Sequence, residues 1–407
     1  MLRIWRTIAP LLVAIAFLEI GSGLLGVLVP YRAHEAGFSL NVIGTLGSAY
    51  YIGFVLGCVQ IPAVIARVGH IRTFTGMAAL ATMDILVNGL VISEPVWFAL
   101  RILIGYCFAG LYLSIESWLN SDSDDRFRGR VLAAYVIATW VGVISGKLLF
   151  GPLNSGDFAP FAVTAAVVSI STFLVAFTPT PQPALPPRAR FRLGRIYRRA
   201  PIGLAGCVLV GAANGAFWSL SPIFVAATGQ TATGIGLFIA AVVLGGAATQ
   251  WPLGWISDRL DRRIVILLSA VSATGFAVLL AMFRPVGETG LLVLAFGFGA
   301  SALPLYSLSV AHANDRVASD EFVEVGGVLL TAFGIGAAAS PSIAAFIMAH
   351  STPSSLFYYT GFVHFSLALY VLYRMSQSPP VPDEEKAEFV AVPKSTQAAL
   401  PLDPRVP

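Results

Sequence analysis

Charge is what this sequence has least of. Only 11% of its 407 residues are Asp, Glu, Lys or Arg, and 57% are hydrophobic. A soluble domain carries about twice that charged share. With a mean hydropathy of +0.79, the shortage excludes an ordinary soluble fold. It points to a polytopic membrane protein whose apolar surface faces lipid as well as a core. Cysteine is also scarce. Cys58, Cys107 and Cys207 lie in separate apolar runs at unrelated spacings. They make neither a disulfide framework nor a metal-ligand pattern. No phosphate-cradling glycine loop, dinucleotide fingerprint, Ser/His/Asp set or zinc-ligand spacing occurs. Nothing here suggests ATP hydrolysis, and an ion gradient or the solute's own gradient is the expected energy source. No cofactor, metal or catalytic residue is expected, and the chain does not read as an enzyme. No cleavable leader is expected either: the run after Arg6 is long, is interrupted by Glu19 and has no small-residue cleavage site. It reads as a retained first helix.

What is present is a series of apolar runs. A spanning helix needs about 20 mostly apolar residues. The runs predict twelve spans, at 8–30, 41–66, 73–93, 95–118, 130–151, 158–178, 201–227, 233–256, 264–284, 287–311, 322–349 and 354–374. The fold class is therefore all-α, with twelve transmembrane helices in two six-helix bundles. The first bundle covers 1–178 and the second 201–375. Residues 179–200 read as a linker, with prolines that forbid a continuous helix and six arginines from Arg188 to Arg199. The polar, Pro-rich tail at 376–407 reads as disordered. Of the 25 lysines and arginines, only Arg32 and Arg284 fall in loops on the far face. The positive-inside tendency then places both termini in the cytoplasm of a cell (inner or plasma) membrane. The net charge of +4 is a topological signal, not a nucleic-acid footprint.

One loop organises the second half. Gly254-Trp-Ile-Ser-Asp258-Arg259-Leu-Asp261-Arg262-Arg263 lies between two membrane-length runs. Its charges cannot sit in hydrocarbon, so it is a short loop at the cytoplasmic surface. The pattern resembles the signature loop of the major facilitator superfamily. That resemblance covers nearly the whole chain up to the tail. It implies two pseudo-symmetric bundles around a midplane site that opens alternately to each side. In the first half, Arg67-Val-Gly69-His-Ile-Arg72 occupies the corresponding place in degenerate form. The halves also align directly. Tyr112 through Asn120 sets against Tyr306 through Asn314, and the same frame sets Gly142 against Gly336. The cytoplasmic gate is expected from Gly254, Asp258, Arg259, Arg262, Arg263, Arg67 and Arg72. Asp258 should approach the arginine-rich start of the fifth span when that side closes.

Ionisable groups inside a membrane are costly, so each is a functional candidate. Glu19, Arg101, Asp84 and Glu116 are the expected proton-coupling set. Counted at 1.5 Å per residue, Glu19 and Arg101 differ in depth by about 7 Å, so they can pair if their helices adjoin. Asp84 is the rival partner for Arg101. Lys147, near the outer end of the fifth span, reads as a residue that snorkels to the interface. Arg101-Ile-Leu-Ile-Gly105 resembles the helix-4 pattern of proton-coupled members of the superfamily. Lys147 stands where the antiporter glycine motif has proline. The stretch Ile115-Glu116-Ser-Trp118-Leu-Asn120 resembles a bacterial branch of the family with poorly defined substrates. Tyr135, Trp140, Asn214, Trp218, Gln250, Trp251 and Tyr306 are expected to line a substrate cavity, because they fall on helices that line it in the family.

The reading is a secondary active transporter that moves a small organic solute with protons, by efflux of organic compounds or drugs. Uptake of a nutrient such as a flavin, and a non-transporting sensor on the same scaffold, are the alternatives. A monomer is expected, with solute, protons and membrane lipid as partners and no nucleic acid.

Overall fold

The computed structural model describes residues 2–121, 128–153, 158–176, 193–282, 287–382, 384 and 386–406. The first half consists of α1 (Leu2–Glu35), α2 (Leu40–Val68), α3 (His70–Leu90), α4 (Glu94–Ser121), α5 (Arg128–Leu153) and α6 (Ala159–Ala176). A short helix, α7 (Leu193–Arg199), precedes the second half. That half holds α8 (Pro201–Ala227), α9 (Ala232–Arg259), α10 (Arg262–Met282), α11 (Gly287–Ala302), α12 (Leu305–Asn314), α13 (Phe322–Ala349) and α14 (Ser355–Gln377). Among the described residues, twelve helical segments are long and apolar enough to cross a membrane. Linker residues 179–192, including Arg188, Arg190 and Arg192, lie outside the described residues, as does Arg126.

The tenth span is broken. Proline has no N–H to give and clashes with the preceding turn, so α11 stops before Pro304 and α12 starts after it. The carbonyl of Ala300, four residues before Pro304, accepts the Thr249 hydroxyl instead, at 2.7 Å. Polar groups inside a bilayer must be satisfied by the protein itself, and here a neighbouring helix does it.

Glycine sets the closest helix contacts, in matching pairs. A Cβ on Gly105 would lie 2.1 Å from the Tyr50 carbonyl oxygen, and one on Gly299 would lie 1.9 Å from that of Val242. The first contact is α4 on α2 and the second α11 on α9, the same pair of spans in each half. Likewise Gly146 meets the Ile20 carbonyl at 2.2 Å, α5 on α1, and Gly336 meets that of Val208 at 2.1 Å, α13 on α8. Small residues that let backbones approach are how membrane helices associate without a hydrophobic drive between them. The internal repeat visible in the sequence is thus a repeat of helix crossings.

The two halves meet near the face opposite the arginine-rich loops. There Gly44 of α2 packs on Pro341 and Ala345 of α13, and Gly151 of α5 packs on Thr233 of α9. Ser48 and Ser342 share a hydrogen bond of 2.8 Å across the same seam. At the arginine-rich face, here the basic face, the C-terminal tail lies between the halves. This differs from the disorder that its composition suggested. Residues 386–406 run into the space between α4, α5, α9, α12 and α13, with a 3-10 turn at Gln397–Leu402. Thr396, Ala398, Ala399, Leu400 and Leu402 are buried. The tail therefore has an apolar face of its own, spaced irregularly enough to escape a periodicity reading.

Candidate functional site: a cavity between the halves

A cavity of about 690 Å³ lies between the bundles. Its wall is mostly apolar, with Glu19, Arg101, Lys147, Gln250 and the rings of Tyr50, Tyr51, Tyr112, Tyr135, Trp140 and Trp218 among the lining groups. That size and mixture suit a small organic molecule held by a few placed polar groups.

The buried charges form two separate sets. Glu19 lies on α1, beside Gly21 and Gly23, where close packing of α5 brings Lys147 to the same wall. Lys147 is 5% exposed. Its ammonium lies 3.0 Å from where a Cβ on Gly26 would stand, and 5.5 Å from the centre of the Trp218 ring. Lys147 thus does not snorkel out. It turns inward because the side of α1 facing it carries glycine. Tyr112 and Lys147 line the same cavity wall as Glu19. Arg101 is placed elsewhere. Its guanidinium lies 4.8 Å from the Tyr50 ring centre, and its Nε donates to the Leu46 carbonyl at 3.4 Å. Asp84 is buried and accepts from Asn88 at 3.3 Å. The contacts of Arg101 are thus with Tyr50 and Leu46, not with the Glu19 carboxylate that its depth put within reach.

Glu116 is fully buried toward the basic face. Tyr135 donates to its Oε1 at 2.5 Å. Ser395 and Thr396, both from the tail, also donate to this carboxylate.

The remaining expected residues divide. Trp140, Trp218, Gln250 and Tyr135 line the cavity, and Gln250 donates to Ser307 at 2.7 Å. Asn214 is buried with its Nδ2 unpartnered. Tyr306 is buried against Phe333, and both rings lie under the ammonium of Lys394 at 5.6 and 5.8 Å. Trp251 is misplaced by the sequence reading. It is 43% exposed on the outer surface, because its neighbour Gln250 already takes the inward direction and adjacent helical positions diverge by about 100°.

The signature loop is a dense polar knot. Arg262, at 1% exposure, donates from Nε to Asp315 at 2.8 Å and from Nη1 to Ser257 at 2.8 Å, and pairs with Asp258 at 3.0 Å. Arg263 pairs with Asp261 at 2.7 Å. Although burial opposes it, the Arg263 hydrogen bonds hold the Asp261 carboxyl below its ordinary value. Arg259 lies outside the knot and stacks on Trp255 at 3.7 Å, while Arg67 and Arg72 are exposed. Asp315 was missed by the sequence reading. Its only signal there was an acid following Asn314 at the end of an aligned span.

The profile of the Major Facilitator Superfamily matches residues 11–229 and 203–402. The chain belongs to that superfamily. An uncharacterized MFS-type transporter of Enterobacter sp. (strain 638) is 26% identical over 377 residues, covering 92% of this chain and 97% of that protein. An uncharacterized MFS-type transporter, YcaD, of Escherichia fergusonii is 27% identical over 370 residues, covering 90% and 95%. Among solved structures, the nucleoside transporter NupG superposes with a TM-score of 0.74 at 13% identity, covering 90% of this chain and 98% of that one. An inward-facing, unoccupied bacterial homolog of the human lysosomal transporter Spinster superposes with a TM-score of 0.71 at 13% identity, covering 91% and 96%. The resemblance in the signature loop thus holds for the chain, which is a multi-pass membrane transporter of the superfamily.

Proposed function

We propose that this superfamily member exports a small, partly aromatic organic solute by alternating access, in exchange for protons. The basic face is taken as cytoplasmic and the membrane as the inner or plasma membrane, which follows from the one-sided distribution of arginine and lysine. The feature that supports the coupling is Glu19, a carboxylate on the wall of the solute cavity that the Lys147 ammonium also lines. A carboxylate whose cation and hydration both change between two states binds protons with different affinity in each. A difference of that kind is what coupling requires. Asp84 with Arg101, and Glu116, are the further groups that rearrangement of the halves exposes or buries. The broad apolar wall with Trp140 and Trp218 supports an amphipathic or aromatic solute.

The test is solute-driven proton movement in proteoliposomes, read by an entrapped pH dye against a panel of aromatic solutes. Wild type should move protons opposite to the solute. Glu19→Gln should exchange labelled solute at the wild-type rate and move no protons. Proton movement by Glu19→Gln at the wild-type level removes Glu19 from the mechanism.

A further inference from the structure

The tail does more than cover a surface. Lys394 enters the cavity and donates to the Leu303 carbonyl at 3.2 Å, beside the break that Pro304 makes between α11 and α12. The Val392 carbonyl accepts from Ser307 of α12 at 3.3 Å. One and two residues beyond Lys394, the Ser395 and Thr396 hydroxyls bond Glu116 of α4, in the other half. The segment is thus tied to both halves across the gap between them.

It also takes the partners that closure of this face would need. Asp258 of the signature loop accepts the Phe389 backbone N–H at 3.0 Å, and Arg128 at the start of α5 donates to the Val406 carbonyl at 3.2 Å. Those are the two ends of the contact that the charge pattern assigns to the closed basic face. The fit is steric as well. A Cβ on Gly254 would fall 2.1 Å from the Phe389 ring, and one on Gly326 would fall 2.7 Å from Leu400.

We infer that residues 386–406 form a displaceable plug that fills the basic mouth of the cavity and holds the halves apart there. Closure at that face, and with it opening at the far face, requires the tail to leave. The inference rests on the alternating-access reading. Its test needs no solute, so its failure is distinct from failure of the transport assignment, which the solute panel decides.

Two reporters are placed in full-length protein carrying Cys58→Ser. Thr331→Cys lies on the cavity wall one turn beyond Gly327, where the tail residue Gln397 packs. Ser342→Cys lies in the far-face seam. Each is labelled with a charged, membrane-impermeant thiol reagent, the first from the basic face of inverted vesicles and the second from the far face of right-side-out vesicles. Ending the chain at Gln377, or keeping it whole with Ser395→Asp and Thr396→Asp to repel Glu116, frees the mouth. Labelling at one reporter or both should rise at least about fivefold in each variant, as the populations redistribute. Where the truncated chain does not insert, the double aspartate variant alone decides. Unchanged rates at both reporters in the inserted variants overturn the plug.

Discussion

Arg262 and Asp315 form a two-pronged ion pair from which water is excluded, with both side chains 1% exposed. It joins the start of α10 to the residue that ends α12, so the signature loop staples its own half together. Removing one partner of a buried pair leaves an uncompensated charge, at a cost of about 3–5 kcal/mol. Asp258 remains as a second partner for Arg262 at 3.0 Å. Asp315→Asn should therefore lose stability at the low end of that range, about 3 kcal/mol. Asp258, 29% exposed, should lose less when changed to Asn, by about 1 kcal/mol. Thermal unfolding of both variants in detergent checks the order. Equal losses would mean that the Asp315 contact is not what holds Arg262.

The matched glycine crossings give a second expectation. A methyl group at Gly105 or Gly299 meets a backbone carbonyl, at 2.1 or 1.9 Å, and not a side chain that can swing away. Overpacking of this kind costs about 1–3 kcal/mol where neighbours can shift. Gly105→Ala and Gly299→Ala should each reach the upper end of that range and by similar amounts, measured as loss of folded protein on heating. A cost in one half only would break the structural repeat.

Much of this was open to a reading of the residues, and the failures have physical causes. Spans and halves follow from apolar length and from the arginine-rich linker, because the bilayer forces a helix wherever backbone meets hydrocarbon. The alignment set Gly336 against Gly142, which also packs on α1 at Ala16, one turn before the tighter crossing at Gly146. The choice of ion partners was not visible in the sequence. Depth along a helix says nothing of which face a side chain takes, so Glu19 was set beside Arg101 while α5 brings Lys147. The tail was read as unstructured because proline and polar residues dominate it. Its buried residues, Thr396, Ala398, Leu400 and Leu402, gain a core only from a groove that other segments build.

Lys394 makes docking of the tail sensitive to pH. It lies outside the spans in sequence yet is buried in the docked state, and burial pushes its ammonium down from 10.5 to about 8, with Cys207 acting weakly in the opposite sense. The free tail then binds more protons than the docked tail between about pH 8 and the ordinary lysine range, so docking strengthens as pH rises through that window. Lys394→Gln should dock independently of pH there. Hydrogen exchange of residues 386–403 at about pH 7 and about pH 9 compares the two proteins. Equal protection at both pH values in wild type would contradict the burial of this ammonium.

The two tryptophans of the middle of the molecule should behave oppositely. Trp218 lines the cavity and Trp251 faces outward. Aromatic contacts contribute about 0.5–1.5 kcal/mol beyond area burial. Trp218→Ala should therefore weaken half-saturation of counterflow by roughly tenfold, and Trp251→Ala by less than about twofold, since every 1.4 kcal/mol is tenfold. Equal effects would place the solute elsewhere.

The central claim is that the halves alternate and that protonation of Glu19 biases which face is open. The direct measurement is the distance between spin labels at Asn41→Cys and His350→Cys, in protein carrying Cys58→Ser and ending at Gln377. These positions cap the far-face ends of α2 and α13, where Gly44 packs on Ala345. Wild type should show a short and a long population whose ratio shifts between about pH 5.5 and about pH 8.5, a window that a buried carboxylate can reach. Glu19→Gln should show a ratio that does not move. A single short distance at every pH, or a shift that survives Glu19→Gln unchanged, would contradict the account.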